Sequence, residues 1–269
     1  MSSLVTTEIE NHVAHVRLNR PEKYNALSPD MCNAIIDAGR KVAADKSVRA
    51  VVLSGEGKGF CAGLDFQSFM EMEKLSGENE MALFDKPEGS AANYAQLVGY
   101  IWKQVPVPVI AAVHGVAFGG GLQLALAADI RLVAGDAKFS IMEIKWGLIP
   151  DMSGTQTLRD LVRLDVAKEL TYTGRVVQAE EAAALGLVTR VCDDPLAAAR
   201  EMAAEIAGKS PDAIVAGKKL LDDAWHGSSS EGLELEARLQ KGVIGRANQV
   251  EAVMANFEKR APNFANRER

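Results

Sequence analysis

Apolar positions recur along this chain in two rhythms, and each predicts its own kind of element. From His12 to Leu18 they alternate, with Ala14, Val16 and Leu18 on one face and His15 and Arg17 on the other, as in a half-buried strand. A strand near Val5–Ile9 precedes it across a turn at Glu10-Asn11. Ser28-Pro29-Asp30 reads as the cap, first residue and acidic first turn of a helix running toward Ala44, with Ile35, Ile36 and Val42 inward. Ala50–Leu53 and Val109–Val113 are short unbroken apolar runs, expected for strands buried on both faces. Leu122–Ala128 predicts a short helix and Ile130–Ala134 a further strand. After Val191 the pattern turns helical: Asp194-Pro195 and Ser210-Pro211 each open a helix, and two more are expected near Glu231–Val243 and Val250–Lys259.

Strand, loop, helix, strand recurs, which predicts an α/β fold. Residues 1–200 are expected to form the α/β core and residues 201–269 a helical C-terminal region. Residues 66–94 stand apart, mixing acidic residues with Met70, Met72, Met81 and Phe84. They read either as an excursion lining an adaptable apolar pocket or as an ordinary amphipathic surface helix.

Charge and cysteine content narrow the function class. The 269 residues carry 30 basic and 36 acidic side chains, a net charge of −6. Without a Lys/Arg block, such a chain is not expected to bind nucleic acid. Three widely spaced cysteines predict neither a disulfide framework nor a zinc ribbon, and point to a reducing compartment. The stretch Val105–Ala128 carries no charge, but Pro106, Pro108, Gly115 and Gly119–Gly121 would break a spanning helix, so no membrane insertion is expected. Without a recognisable leader near Met1, the expected location is cytoplasmic.

Familiar chemical motifs are missing. Gly55-x-Gly57 leads to Phe60 where a dinucleotide fingerprint needs glycine, and there is no phosphate loop and no GxSxG elbow. The four histidines lie apart, so no metal site is expected. Two glycine-rich loops carry more information. Gly59–Asp65 (GFCAGLD) and Val113–Gln123 (VHGVAFGGGLQ) each follow a buried strand. Small residues there allow close backbone approach to a ligand, and a helix begins at the second loop. Either loop can supply an N–H to a developing oxyanion, or can simply pack a helix tightly on a sheet.

Together the two loops resemble those of the crotonase (enoyl-CoA hydratase/isomerase) superfamily. Phe60–Asp65 matches its Phe/Ser-x-Ala-Gly-x-Asp loop, and Val113–Leu122 its Val-x-Gly-x-Ala-x-Gly-Gly-Gly loop. The resemblance continues through Ala128–Arg131, Phe139–Gly147, Ile149-Pro150, Tyr172–Gly174, Ala182–Val191 and Phe257–Arg260. It implies a spiral of ββα units, C-terminal helices that assemble a homotrimer or hexamer, and coenzyme A thioester substrates. It also implies that coenzyme A belongs to the substrate and that no separate cofactor is needed. The matching oxyanion donors are the N–H groups of Ala62 and Gly120. Ala62, Gly63, Leu64 and Asp65 match the loop along the CoA thiol arm, and Lys23 and Lys259 fall in segments that contact CoA in relatives.

The acidic residues separate the possible reactions. Hydratases of the family carry two glutamates, which correspond to positions 123 and 143. This chain has Gln123 and Glu143. An amide orients water but cannot act as a general base. Asp151, after Ile149-Pro150, matches an aspartate of the dienoyl-CoA isomerases, although those enzymes have Asp where Gln123 stands. Asp151 can also serve as an ordinary helix cap. The implied activity is that of an enoyl-CoA hydratase/isomerase. Two narrower readings are a dienoyl-CoA isomerase using Glu143 and Asp151, and a catalytically silent acyl-CoA-binding oligomer.

Overall fold

The computed structural model describes residues 3–68, 70 and 84–268. Met72 and Met81, expected to contribute to an adaptable pocket, lie outside the described residues. The main sheet runs in the order β1 (Val5–Glu10), β2 (Val13–Leu18), β3 (Ala50–Gly55), β4 (Val109–Val113), β6 (Ile130–Ala134) and β9 (Arg190–Cys192). Only β1 is antiparallel to its neighbour; the other pairings are parallel. A second, small sheet joins β5 (Val116–Phe118), β7 (Lys138–Ser140) and β8 (Val177–Gln178).

The unbroken apolar runs follow from burial on two sides. Val51, Leu53, Val109, Ala111 and Val113 face a core closed by α1 (Pro29–Ala44) and α2 (Tyr94–Gln104), which contribute Ile35, Ile36, Val98, Ile101 and Trp102. The alternate residues Ala50, Val52, Ile110 and Ala112 face α7 (Pro195–Ala207), through Ala199, Ala203 and Ala207. Parallel strands covered on both faces have no solvent side to encode, so alternation disappears. Helix starts obey the capping signals: Ser28 accepts from the Met31 N–H and Asp194 from the Ala197 N–H.

The boundary expected at residue 200 falls inside α7, whose alanines pack on the sheet. The helical region proper begins after Gly208, with α8 (Pro211–Ala224), α9 (Ser229–Val243) and α10 (Ala247–Phe257). Val105–Ala128 is divided between β4, β5 and α3 (Gly120–Leu126). Among the described residues no helix is long and apolar enough to cross a membrane.

Candidate active site

Backbone bonds zip the two glycine-rich loops together. Cys61 N–H donates to the Val116 carbonyl at 3.0 Å, and Phe118 N–H to the Cys61 carbonyl at 3.1 Å. Side chains would prevent this. A Cβ on Gly121 would lie 2.3 Å from the Cys61 carbonyl oxygen, and one on Gly63, at φ +88°, 2.5 Å from that of Phe118. Beneath the first loop, the buried Asn25 amide donates to the carbonyls of Glu56, Gly59 and Phe60 and accepts from the Arg20 N–H. It ties the loop to the turn that carries the exposed Lys23. Nothing in the periodicity singles out Asn25.

The Ala62 N–H is not free for an oxyanion: it donates to the Tyr24 carbonyl at 2.9 Å. That contradicts its expected role as an oxyanion donor. The available donor in this loop is Leu64. The bridge between Leu27 and Leu64 uses the Gly63 carbonyl and the Asp65 N–H, and leaves the Leu64 N–H with no acceptor among the described residues. Gly120, the other expected donor, opens the helix after the second loop. As the first residue of α3, it has an N–H without an intrahelical partner. Leu64 and Gly120 line the same cavity, of about 300 Å³.

Asp65 also differs from expectation. Its buried carboxylate pairs with the Arg20 guanidinium at 2.7 Å. Burial pushes its pKa up, but Arg20 and the Ser68 N–H outweigh this and hold it below the usual aspartate range. Its role is to brace the loop. Ala62, Gly63 and Leu64 line the cavity; Asp65 and Lys259 do not. Lys259 lies just past α10, exposed to solvent.

Most of the cavity wall is apolar. Phe66 and Trp146 meet with ring centroids 4.1 Å apart, and Val98, Phe84 and Leu148 add to the lining. Two carboxyl groups, Glu143 and Asp151, also face it. Glu143 stands on the 3₁₀ turn Met142–Trp146 and is 9% exposed. Burial raises its pKa, and the negative charge of Asp151 raises it further, against the pull of the Gln123 hydrogen bond. Burial likewise raises Asp151. Asp151 is not a helix cap: α4 (Thr155–Leu161) begins at Gly154 without a side-chain cap.

Gln123 does not line the cavity. Its Nε2 donates to Glu143 Oε1 at 2.6 Å, and its Oε1 accepts from the N–H groups of Met152 at 2.8 Å and Gly154 at 2.9 Å. Both acceptor sites of its Oε1 are filled, and one of its two Nε2 N–H groups is committed to Glu143. Gln123 thus bridges Glu143 on one side and the Met152–Gly154 segment beside Asp151 on the other. Glu143 Oε2 is buried and has no hydrogen-bond partner among the described residues. An unpaired, hard-to-ionise carboxyl oxygen against an apolar cavity is suited to moving protons.

The family model described as enoyl-CoA hydratase/isomerase matches residues 8–267. The chain belongs to this family. It is 35% identical to "Probable enoyl-CoA hydratase echA8" of Mycobacterium bovis, over 98% of each chain. It is also 35% identical to the mitochondrial Delta(3,5)-Delta(2,4)-dienoyl-CoA isomerase of Mus musculus, over 96% of this chain and 80% of that one. Among solved structures, an enoyl-CoA hydratase from Bacillus anthracis superposes with a TM-score of 0.85 at 30% identity, over 97% of this chain and 98% of that one. As a member of the enoyl-CoA hydratase/isomerase family, the protein has the crotonase fold and is an acyl-CoA enzyme. Relatives of equal identity carry the names of both reactions, so only the site bears on the choice between them.

Proposed function

We propose that this enzyme shifts double bonds along an enoyl- or dienoyl-CoA chain rather than hydrating it. The thioester carbonyl sits between the N–H groups of Leu64 and Gly120, which stabilise the enolate. One such donor contributes roughly 3 kcal/mol to the transition state. Glu143 removes a proton from the carbon next to the thioester, and Asp151 delivers one to the far end of the conjugated system. Burial raises the pKa of each carboxyl, which favours its proton-holding form.

The observation that carries this reading is the composition of the cavity wall. Glu143 and Asp151 face it, whereas the side chain at the second glutamate position of hydratases is an amide turned away. A water held between two carboxylates at positions 123 and 143 therefore has no counterpart here. Coenzyme A is part of the substrate in this scheme, and no metal or redox cofactor is called for. Lys23 is assigned to CoA phosphate contacts, and Lys259 to the same task in a neighbouring subunit of a trimer or hexamer in the cytoplasm.

The test is a panel of enoyl-, dienoyl- and hydroxyacyl-CoAs with product identification. Migration of a double bond without gain of water supports the proposal. A hydroxyacyl-CoA as sole product refutes it. Tight binding with no turnover of any member would make the protein a silent acyl-CoA binder.

A further inference from the structure

Asp151 also lines a second cavity, of about 290 Å³, whose wall includes neither of the two oxyanion donors. Its wall is polar, with Gln96, Ser153, Thr155 and Gln156 among its residues. Asp151 lines both this cavity and the apolar one. Glu143 lines only the apolar one.

This asymmetry matters once the reaction is balanced, and the inference rests on the proton-pair reading above. A double-bond shift leaves the two carboxyl groups with their protonation states exchanged. Glu143 ends with the proton taken beside the thioester, and Asp151 ends without the one it gave to the far carbon. Before the next turnover Glu143 must lose a proton and Asp151 must regain one. Two routes close the cycle. The proton can pass directly from Glu143 to Asp151 inside the apolar cavity. Otherwise each group exchanges with water, Glu143 after product leaves and Asp151 whenever water reaches it.

We propose that Asp151 is reloaded by solvent through the polar cavity, independently of what fills the acyl cavity. A wall of hydroxyl and amide groups holds water well, and water carries protons to a carboxyl group at its edge. An apolar wall filled by an acyl chain does not. The protons balance over a turnover: one enters at Asp151 and one leaves from Glu143.

The test follows the isomerisation in D2O over many turnovers, reading the product by mass spectrometry and NMR. The wild-type enzyme is expected to place solvent deuterium at the far carbon in every turnover. Two variants alter the polar cavity without touching the acyl one. Thr155→Val with Gln156→Leu removes two exposed polar groups from its wall, and Ala91→Leu fills part of it from an exposed position. Each is expected to lower kcat, leave the first turnover of the preloaded enzyme unchanged, and retain substrate hydrogen in the product as the direct route takes over. If one variant fails to fold, the other decides. Substrate hydrogen retained by the wild type overturns the proposal, and so do variants with unchanged kcat and deuterium content. A wild-type enzyme that isomerises no dienoyl-CoA overturns the proton-pair reading instead.

Discussion

Gln123→Met tests the bridging role most directly. Methionine keeps the length of the side chain and removes its polar groups. Two buried backbone N–H groups, of Met152 and Gly154, then lose their acceptor, and Glu143 Oε1 loses its donor. A buried donor left unsatisfied costs about 1–3 kcal/mol, so the two together cost about 2–6 kcal/mol. That is a large share of the roughly 5–15 kcal/mol that holds a domain folded. Gln123→Glu is the informative partner, because a carboxylate still accepts from both N–H groups. It sets a second carboxyl oxygen against Glu143, where Gln123 Nε2 now donates at 2.6 Å, so the pair must share a proton. Urea unfolding followed by tryptophan fluorescence, at several protein concentrations, measures the stability difference. Dienoyl-CoA turnover measures the effect on the Asp151 loop. A Gln123→Met variant within about 1 kcal/mol of wild type and with full turnover would refute the clamp, since even one orphaned donor costs that much.

Glu143→Gln and Asp151→Asn should each reduce double-bond migration by about 10²–10⁴, because each removes a group able to carry a proton while keeping its shape. Both carboxyls have raised pKa values, so the stability they contribute is fully present below their unfolded values and lost as pH rises through the folded ones. Glu143→Gln should accordingly raise Tm above about pH 4.5 and have little effect below it; a gain that grows toward acid pH would reverse the argument. Gly120→Pro should lower turnover by at least about 10²-fold by removing one donor, and proline is tolerated at the first position of a helix. Any Cβ there lies 2.6 Å from Met152 Sδ and 2.9 Å from Leu27 Cδ1, so Gly120→Ala, which keeps the N–H, reports the cost of moving these two side chains. Equal losses in the two variants would remove Gly120 from the oxyanion site. Sedimentation is expected to show a trimer or hexamer at micromolar concentration, and a monomer would leave Lys259 without its assigned task.

Much of the fold was legible in the sequence because local chemistry decides it. The period-two pattern of Ala14, Val16 and Leu18 identifies a strand with one face in the main core, and Ser28-Pro29 and Asp194-Pro195 mark helix starts through their own capping bonds. The apolar runs at Ala50 and Val109 exclude a solvent-facing strand. Two linked glycine loops identify the family because backbone contact at Gly63 and Gly121 admits no side chain.

The sequence could not tell which groups in those loops are already engaged. The motif match pointed to Ala62 as this loop's oxyanion donor, but a hydrogen bond from the Ala62 N–H to Tyr24, distant in sequence, engages it. Gln123 and Glu143 match catalytic positions by spacing alone. Only the packing of α3 against the Met152–Gly154 segment turns the amide away from the cavity and leaves Glu143 and Asp151 facing it. The Asp65 carboxylate is likewise claimed by Arg20, 45 residues before it. Residue identity along the chain specifies which groups are available. Their protonation, their partners and the cavity they face depend on burial and on contacts between distant segments, and these exist only once the chain has folded.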